Sequence, residues 1–259
     1  MQNLSQLDKN ALSKIIRGFA NKIFQSEAQF QFDLAWKLQQ EGWGKAKLED
    51  MRMKVNKNNG KIGKCYTDIV LEQGGYSVAI ELKYKTAEYI DPNNRIYLLD
   101  HDAVDLGRYD YLWDVHRIEL LAGKGNNKEM DGEVEVLEGY NKGFAVLLTN
   151  EKNYWDKKYM KPENGSQVND NQFRIGCING RGGQLFDKDL DWKRDAVKYP
   201  NNYHYYPATV LTKTIAKNPT SYAQPIHLSQ AYKYEWEDYL VTSQQNGDFK
   251  FVIIEVPEK

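Results

Sequence analysis

The chain has 259 residues, 35 Lys+Arg against 36 Asp+Glu, 41% hydrophobic and 13% aromatic residues. That length builds a real core without disulfide or metal staples, and 27% charge alongside so many core formers argues against disorder. A net charge of −1 excludes a uniformly basic nucleic-acid coat but leaves room for a local basic site.

The start, Met1 to Asp8, lacks the apolar stretch of a secretory signal, and no apolar run approaches the ~20 residues that span a bilayer. Cys65 and Cys177 are the two cysteines, too few for a disulfide framework or a four-cysteine zinc site. A cytoplasmic protein with no membrane partner is therefore expected. The histidines His101, His116, His204 and His227 show no zinc-binding spacing.

In chain order, Leu12, Ile15, Ile16, Phe19 and Ile23 recur at helical spacing and predict a helix over 7–24. Ser26 then has the character of an N-cap, with Gln29 three residues on as in a capping box. A second helix with Phe30, Leu34 and Leu38 on one face would end at Gly42. Met51, Met53 and Val55 alternate with Arg52 and Lys54, which predicts a strand. Residues 66–72 and 77–84 form two further strands around the turn signal Gly74-Gly75.

A two-residue turn there pairs Gln73 with Tyr76, sets Asp68 opposite Glu81, and sets Tyr66 opposite Lys83. Alternation of side chains along a strand puts Asp68, Glu81 and Lys83 on one face. Opposed carboxylates roughly 5 Å apart destabilise a hairpin unless a cation or proton offsets them. Two carboxylates and an ammonium suit metal-assisted hydrolysis, since oxygen ligands are those Mg²⁺ prefers. The Leu82 carbonyl, between Glu81 and Lys83, is a further candidate oxygen ligand. A solvated sheet face carrying a cross-strand salt bridge accounts for the same residues and stays open as the alternative.

Residues 86–99 read as an irregular loop and 101–121 as a helix dense in charge, with Val104, Leu112, Val115 and Ile118 as its apolar stripe. Within it Asp114 is a helical neighbour of both Asp110 and Arg117. Residues 123–133 read as a polar loop, and 143–149 as a strand covered on both faces. Residues 173–178 and 249–256 read as later strands. No linker interrupts the pattern, so residues 1–259 are expected to form one domain, with a core over about 26–150 and a C-terminal elaboration over 151–259.

Asp68, followed after a hairpin by Glu81-Leu82-Lys83, resembles the core of the PD-(D/E)XK nuclease superfamily. Thr67 stands where the name-giving pattern has proline. The resemblance covers roughly residues 26–149 and implies an α/β, restriction-endonuclease-like fold with a mixed central sheet flanked by helices. It implies a Mg²⁺- or Mn²⁺-dependent hydrolase cutting phosphodiester bonds of nucleic acid, with DNA the favoured substrate. Asp68, Glu81 and the Leu82 carbonyl would hold the metal, Lys83 would position water or offset charge, and Glu27, at the start of the second helix, would complete the site. A glutamate in a first helical turn is favoured by the helix dipole in any case. A homodimer is compatible with this reading. The helix after the lysine strand often lines the site in this fold, which makes Arg108 a candidate phosphate contact. Arg52, Lys54, Lys57, Lys61 and Lys64 form a basic arm leading into Asp68. The rival functions are a catalytically inactive module of the same fold, binding nucleic acid or a protein partner, and a structural protein whose hairpin acids are surface.

Overall fold

The computed structural model describes residues 2–19, 22–57, 62–91, 95–101, 104–123, 128–129, 132–156, 182–185, 189–190 and 226–258. In chain order the elements are α1 (Lys9–Arg17), α2 (Glu27–Gln40), β1 (Lys45–Lys57), β2 (Ile62–Gln73), β3 (Tyr76–Lys85), β4 (Tyr89–Ile90), β5 (Tyr97–Leu98), α3 (Val104–Leu121), β6 (Lys128–Glu129), β7 (Gly132–Val136), β8 (Lys142–Thr149), β9 (Gly182–Leu185), β10 (Asp189–Leu190), β11 (Ile226–His227), β12 (Tyr232–Leu240) and β13 (Phe249–Val256).

The first predicted helix is shorter than its apolar periodicity suggests. Asp8 caps α1 by accepting from the Ala11 N–H, and the helix closes at Gly18. The chain after it is still buried, because Phe24 packs its ring against Phe30, Tyr84 and Tyr239. The second helix begins where expected: Ser26 Oγ accepts from the Gln29 N–H at 3.1 Å, and the Gln29 side chain accepts from the Gln25 N–H. The polar loop expected over 123–133 instead holds β6 and the start of β7, and the loop over 86–99 holds the β4–β5 hairpin.

The protein is α/β, with a large mixed sheet in the order β6-β7-β1-β2-β3-β8-β13-β12-β9. β3 and β8 run parallel, and the pairs around them are antiparallel. β13 lies beside β8, so the sheet draws strands from both sides of residue 150. One face, through Ile69, Leu71, Ile80, Leu82, Phe144, Val146 and Ile253, packs under α1 and α2. The other, through Ala145, Leu147, Val252 and Ile254, packs on α3. Strand β8 is buried at every position, as its unbroken apolar run implies. α3 is covered on nearly all sides rather than being an exposed charged helix: even Arg108, Asp114, His116 and Glu119 are buried.

The Gly74-Gly75 turn has φ of 61° and 83°, the left-handed pair of a type I′ hairpin. The β2–β3 register follows as expected, from Gln73–Tyr76 through Ile69–Ile80. β1 departs from simple alternation. Its pairing with β2 shifts between Met51 and Met53, so one extra residue, Arg52, is accommodated as a bulge. Arg52 is consequently 2% exposed while Met51 lies open. No helix among the described residues is long and apolar enough to cross a membrane.

Candidate active site

The regular β2–β3 ladder ends at Ile69–Ile80, one pair before Asp68 and Glu81. Beyond it β2 stays with β1, through Thr67 opposite Asp50, and β3 stays with β8, through Glu81 opposite Ala145. The sheet therefore forks, and Tyr66 and Lys83 are not ladder partners as the ideal hairpin would make them. A fork leaves backbone groups without their strand partners, and such groups must be satisfied by other means. Side chains do this here. Asp68 Oδ2 accepts from the Leu82 N–H at 2.6 Å, and Glu81 Oε2 lies 3.4 Å from the Asp68 N–H. Glu27 Oε2 accepts from the Tyr84 N–H at 2.6 Å. Gln31 donates to the Asp68 carbonyl at 2.7 Å, and Arg117 to the Tyr66 carbonyl at 2.5 Å.

Glu27, Asp68, Glu81 and Lys83 thus converge on the fork, between the N-terminus of α2 and the middle of α3. Two residues of α3 complete the charge pattern. Lys83 Nζ is 2.7 Å from Asp114 Oδ2, and Arg117 reaches Glu81 Oε1 at 3.1 Å and Asp114 Oδ1 at 3.4 Å. The Leu82 carbonyl, the expected backbone ligand, lies 3.4 Å from Lys83 Nζ.

The electrostatics follow from burial and crowding. Loss of solvent, helped by Asp114 and Glu27, raises the Asp68 carboxyl to about 6 against the pull of Lys83 and the Leu82 N–H. Burial pushes Glu81 well above the usual carboxylate range, with Arg117 opposing it. Burial alone would lower Lys83, but Asp114, Glu27 and Asp68 outweigh it and hold the ammonium above the ordinary lysine value. Its acidic neighbours therefore favour the charged form of Lys83.

The donor set is oxygen only, and four acids, Glu27, Asp68, Glu81 and Asp114, face two bases, Lys83 and Arg117. That chemistry fits a hard divalent cation, whose charge would offset the excess. The side chains are not gathered around an ion: among the described residues no group of three or more His, Cys, Asp or Glu is placed to hold one. Asp68 Oδ2 is engaged by the Leu82 N–H and Glu81 Oε1 by Arg117.

Other expectations change. Arg108 is turned away from the fork: it is 5% exposed, donates to the Asn153 carbonyl at 2.5 Å and lies over the Tyr154 ring. Two members of the basic arm, Arg52 and Lys54, are ion-paired, while Lys64 is exposed. Arg52 is ion-paired with Asp50, Glu72 and Glu138 over the Tyr140 ring, and Lys54 pairs with Glu135 at 3.0 Å. Lys61 lies outside the described residues, as do the side chain of Lys57, Cys177, His204 and the strand expected over 173–178. His101 Nδ1 accepts from the Thr86 N–H at 3.0 Å, tying the loop after β3 to the segment leading into α3.

Sequence reasoning did not place Asp114, Arg117 or Gln31 at the site. Signals for them were present. Gln31 follows Glu27 by four residues and Arg117 follows Asp114 by three, so each pair shares a helix face. Compared with family models, curated proteins and solved structures, the chain matches none.

Proposed function

We propose that the chain is a metal-dependent nuclease of restriction-endonuclease-like fold, hydrolysing phosphodiester bonds of nucleic acid, with DNA the favoured substrate. The observation that carries this reading is the fork itself: Asp68, Glu81 and Lys83 meet where the strands part, with Asp68 desolvated and its carboxyl raised to about 6. The order α2, β1, the β2–β3 hairpin, α3 and β8 agrees with that fold's core. Opposed, buried acids cost stability, and a catalytic use of the site explains why they are there.

Asp68, Glu81 and the Leu82 carbonyl would hold Mg²⁺ or Mn²⁺, with Glu27 completing the set. The bound cation supplies Lewis-acid polarisation of a phosphoryl oxygen and acidifies water. Lys83, held as an ammonium by Asp114, stabilises negative charge developing on the phosphoryl group and orients the attacking water. Glu27, bonded to the Tyr84 N–H, fixes the start of α2 against the end of β3.

A specific observation favours a second reading, an inactive module of the same fold that binds nucleic acid or a protein. Both cations of the site already have acidic partners, Lys83 with Asp114 and Arg117 with Glu81. Incubating the purified chain with Mg²⁺ or Mn²⁺ and a panel of single- and double-stranded DNA and RNA separates the two. Cleavage that stops with chelator, with Lys83→Ala and with Asp68→Ala supports the nuclease. Cleavage surviving both substitutions, or none on any substrate, removes it.

A further inference from the structure

Arg117 stands where Glu81 would have to serve a metal. Glu81 is 2% exposed, and its Oε1 receives no well-formed hydrogen bond. Its compensation is the charge of Arg117, whose NH2 group lies 3.1 Å away. Among the described residues the other oxygen is held by the Asp68 N–H alone, at 3.4 Å. Glu81 is thus tied by one ion pair and one long hydrogen bond, a loose hold for a carboxylate so deeply buried.

Arg117 is better anchored than its partner. It also donates to the Tyr66 carbonyl at 2.5 Å and lies 3.4 Å from Asp114. Neither anchor involves Glu81, so Arg117 stays tethered at the fork when its pairing with Glu81 is broken. Asp114 cannot neutralise Arg117 fully, because its other oxygen is engaged by Lys83 at 2.7 Å. With its side chain 17% exposed, Arg117 borders solvent at the mouth of the fork.

We infer that Arg117 is a resident counter-ion for Glu81, which an entering divalent cation must displace. The inference rests on the metal-dependent reading above. A guanidinium and a divalent cation at one carboxylate oxygen repel each other, so Arg117 holds the metal affinity of the free protein down. An anionic phosphodiester offers the released guanidinium a new partner. Substrate and metal therefore tighten each other's binding, since such coupling is reciprocal.

The test is calorimetric titration of Mn²⁺ into the full chain and into its Arg117→Gln, Arg117→Lys and Asp68→Ala variants. Arg117→Gln should bind Mn²⁺ about tenfold tighter, the scale of one charged partner removed, and Arg117→Lys should stay closer to wild type. A structural role alone would not tighten metal binding. Folded Arg117→Gln that binds equally or more weakly overturns the inference. The wild-type protein supplies a second measurement should that variant not fold: the Arg117 side-chain Nε–H resonance should move during Mn²⁺-free titration with Mg²⁺, and a resonance that stays fixed at saturation overturns it too. Mn²⁺ binding by wild type that Asp68→Ala abolishes upholds the metal reading whatever Arg117→Gln does. Absence of binding by both wild type and Arg117→Gln removes the metal reading and the counter-ion together.

Discussion

Lys83 Nζ and Asp114 Oδ2 lie 2.7 Å apart although one belongs to strand β3 and the other to helix α3. The carboxylate is 4% exposed and the lysine side chain 19%. This pair positions the ammonium at the fork and keeps it charged. Breaking one side of a buried pair strands the other charge, so Asp114→Asn should cost about 3 kcal/mol of stability. In a Lys83→Met background the same change should cost distinctly less. Denaturant unfolding of the four proteins measures the coupling, and additive effects would show that the pair contributes nothing.

Lys83→Met removes the cation but keeps the apolar stem. On the nuclease reading the cleavage rate should fall ~10²–10³-fold, the scale of one lost charge-stabilising group. Single-turnover kinetics at saturating Mg²⁺ reads this directly. A rate within a factor of a few of wild type would remove Lys83 from the chemistry.

Asp68 carries a pH signature. Its folded value of about 6 lies above the roughly 3.9 of an unfolded aspartate. A raised carboxylate pKa means that stability present at low pH is lost as pH rises through the folded value. Asp68→Asn, measured with chelator present, should therefore match wild type below about pH 4 and gain on it between about 4 and 6. Above that its advantage should hold at about 1–2 kcal/mol, allowing for partial exposure. A stability difference independent of pH would contradict the assignment.

His116 behaves in the opposite sense. It is 4% exposed, and burial lowers it to about 4 although its Nδ1–H donates to the His227 carbonyl at 2.8 Å, which opposes the shift. The unfolded chain binds a proton near pH 6.5 that the folded chain refuses, so stability falls as pH drops from about 6.5 to 4, by about 3 kcal/mol in all. His116→Asn keeps a donor near the same place and should flatten that part of the profile. Chemical unfolding at stepped pH values checks it.

Glu27 separates a structural from a catalytic role. Its Oε2 accepts from the Tyr84 N–H, and the carbonyl oxygen of a glutamine can do the same. Glu27→Gln should change stability by less than about 1 kcal/mol while weakening Mn²⁺ binding and cleavage. Unaltered metal affinity would confine Glu27 to tying α2 to β3.

Much of this protein is determined by local sequence. Gly74-Gly75 dictates a type I′ turn, the turn dictates the register from Gln73–Tyr76 to Ile69–Ile80, and period-2 alternation carries Asp68, Glu81 and Lys83 toward one another. Ser26 starts α2 and so places Glu27 in its first turn. These are rules acting over a few residues, where backbone sterics and short hydrogen bonds leave little choice. The β1 bulge escaped the same rules. Alternation cannot foresee an extra residue whose place depends on Arg52 finding Asp50, Glu72 and Glu138.

Only the tertiary structure decided the rest. Which helix face meets the fork determines that Asp114 and Arg117 enter the site and that Arg108 does not. That face is set by packing α3 against β3, β8 and β13, elements separated from it along the chain. The parting of β2 from β3 has the same origin, because each strand keeps its outer neighbour and side-chain carboxylates take over the freed backbone groups. Net charge near zero, read along the chain, is silent on this. In three dimensions Glu27, Asp68, Glu81 and Asp114 close on Lys83 and Arg117 at the fork, where burial raises the Asp68 and Glu81 carboxyls.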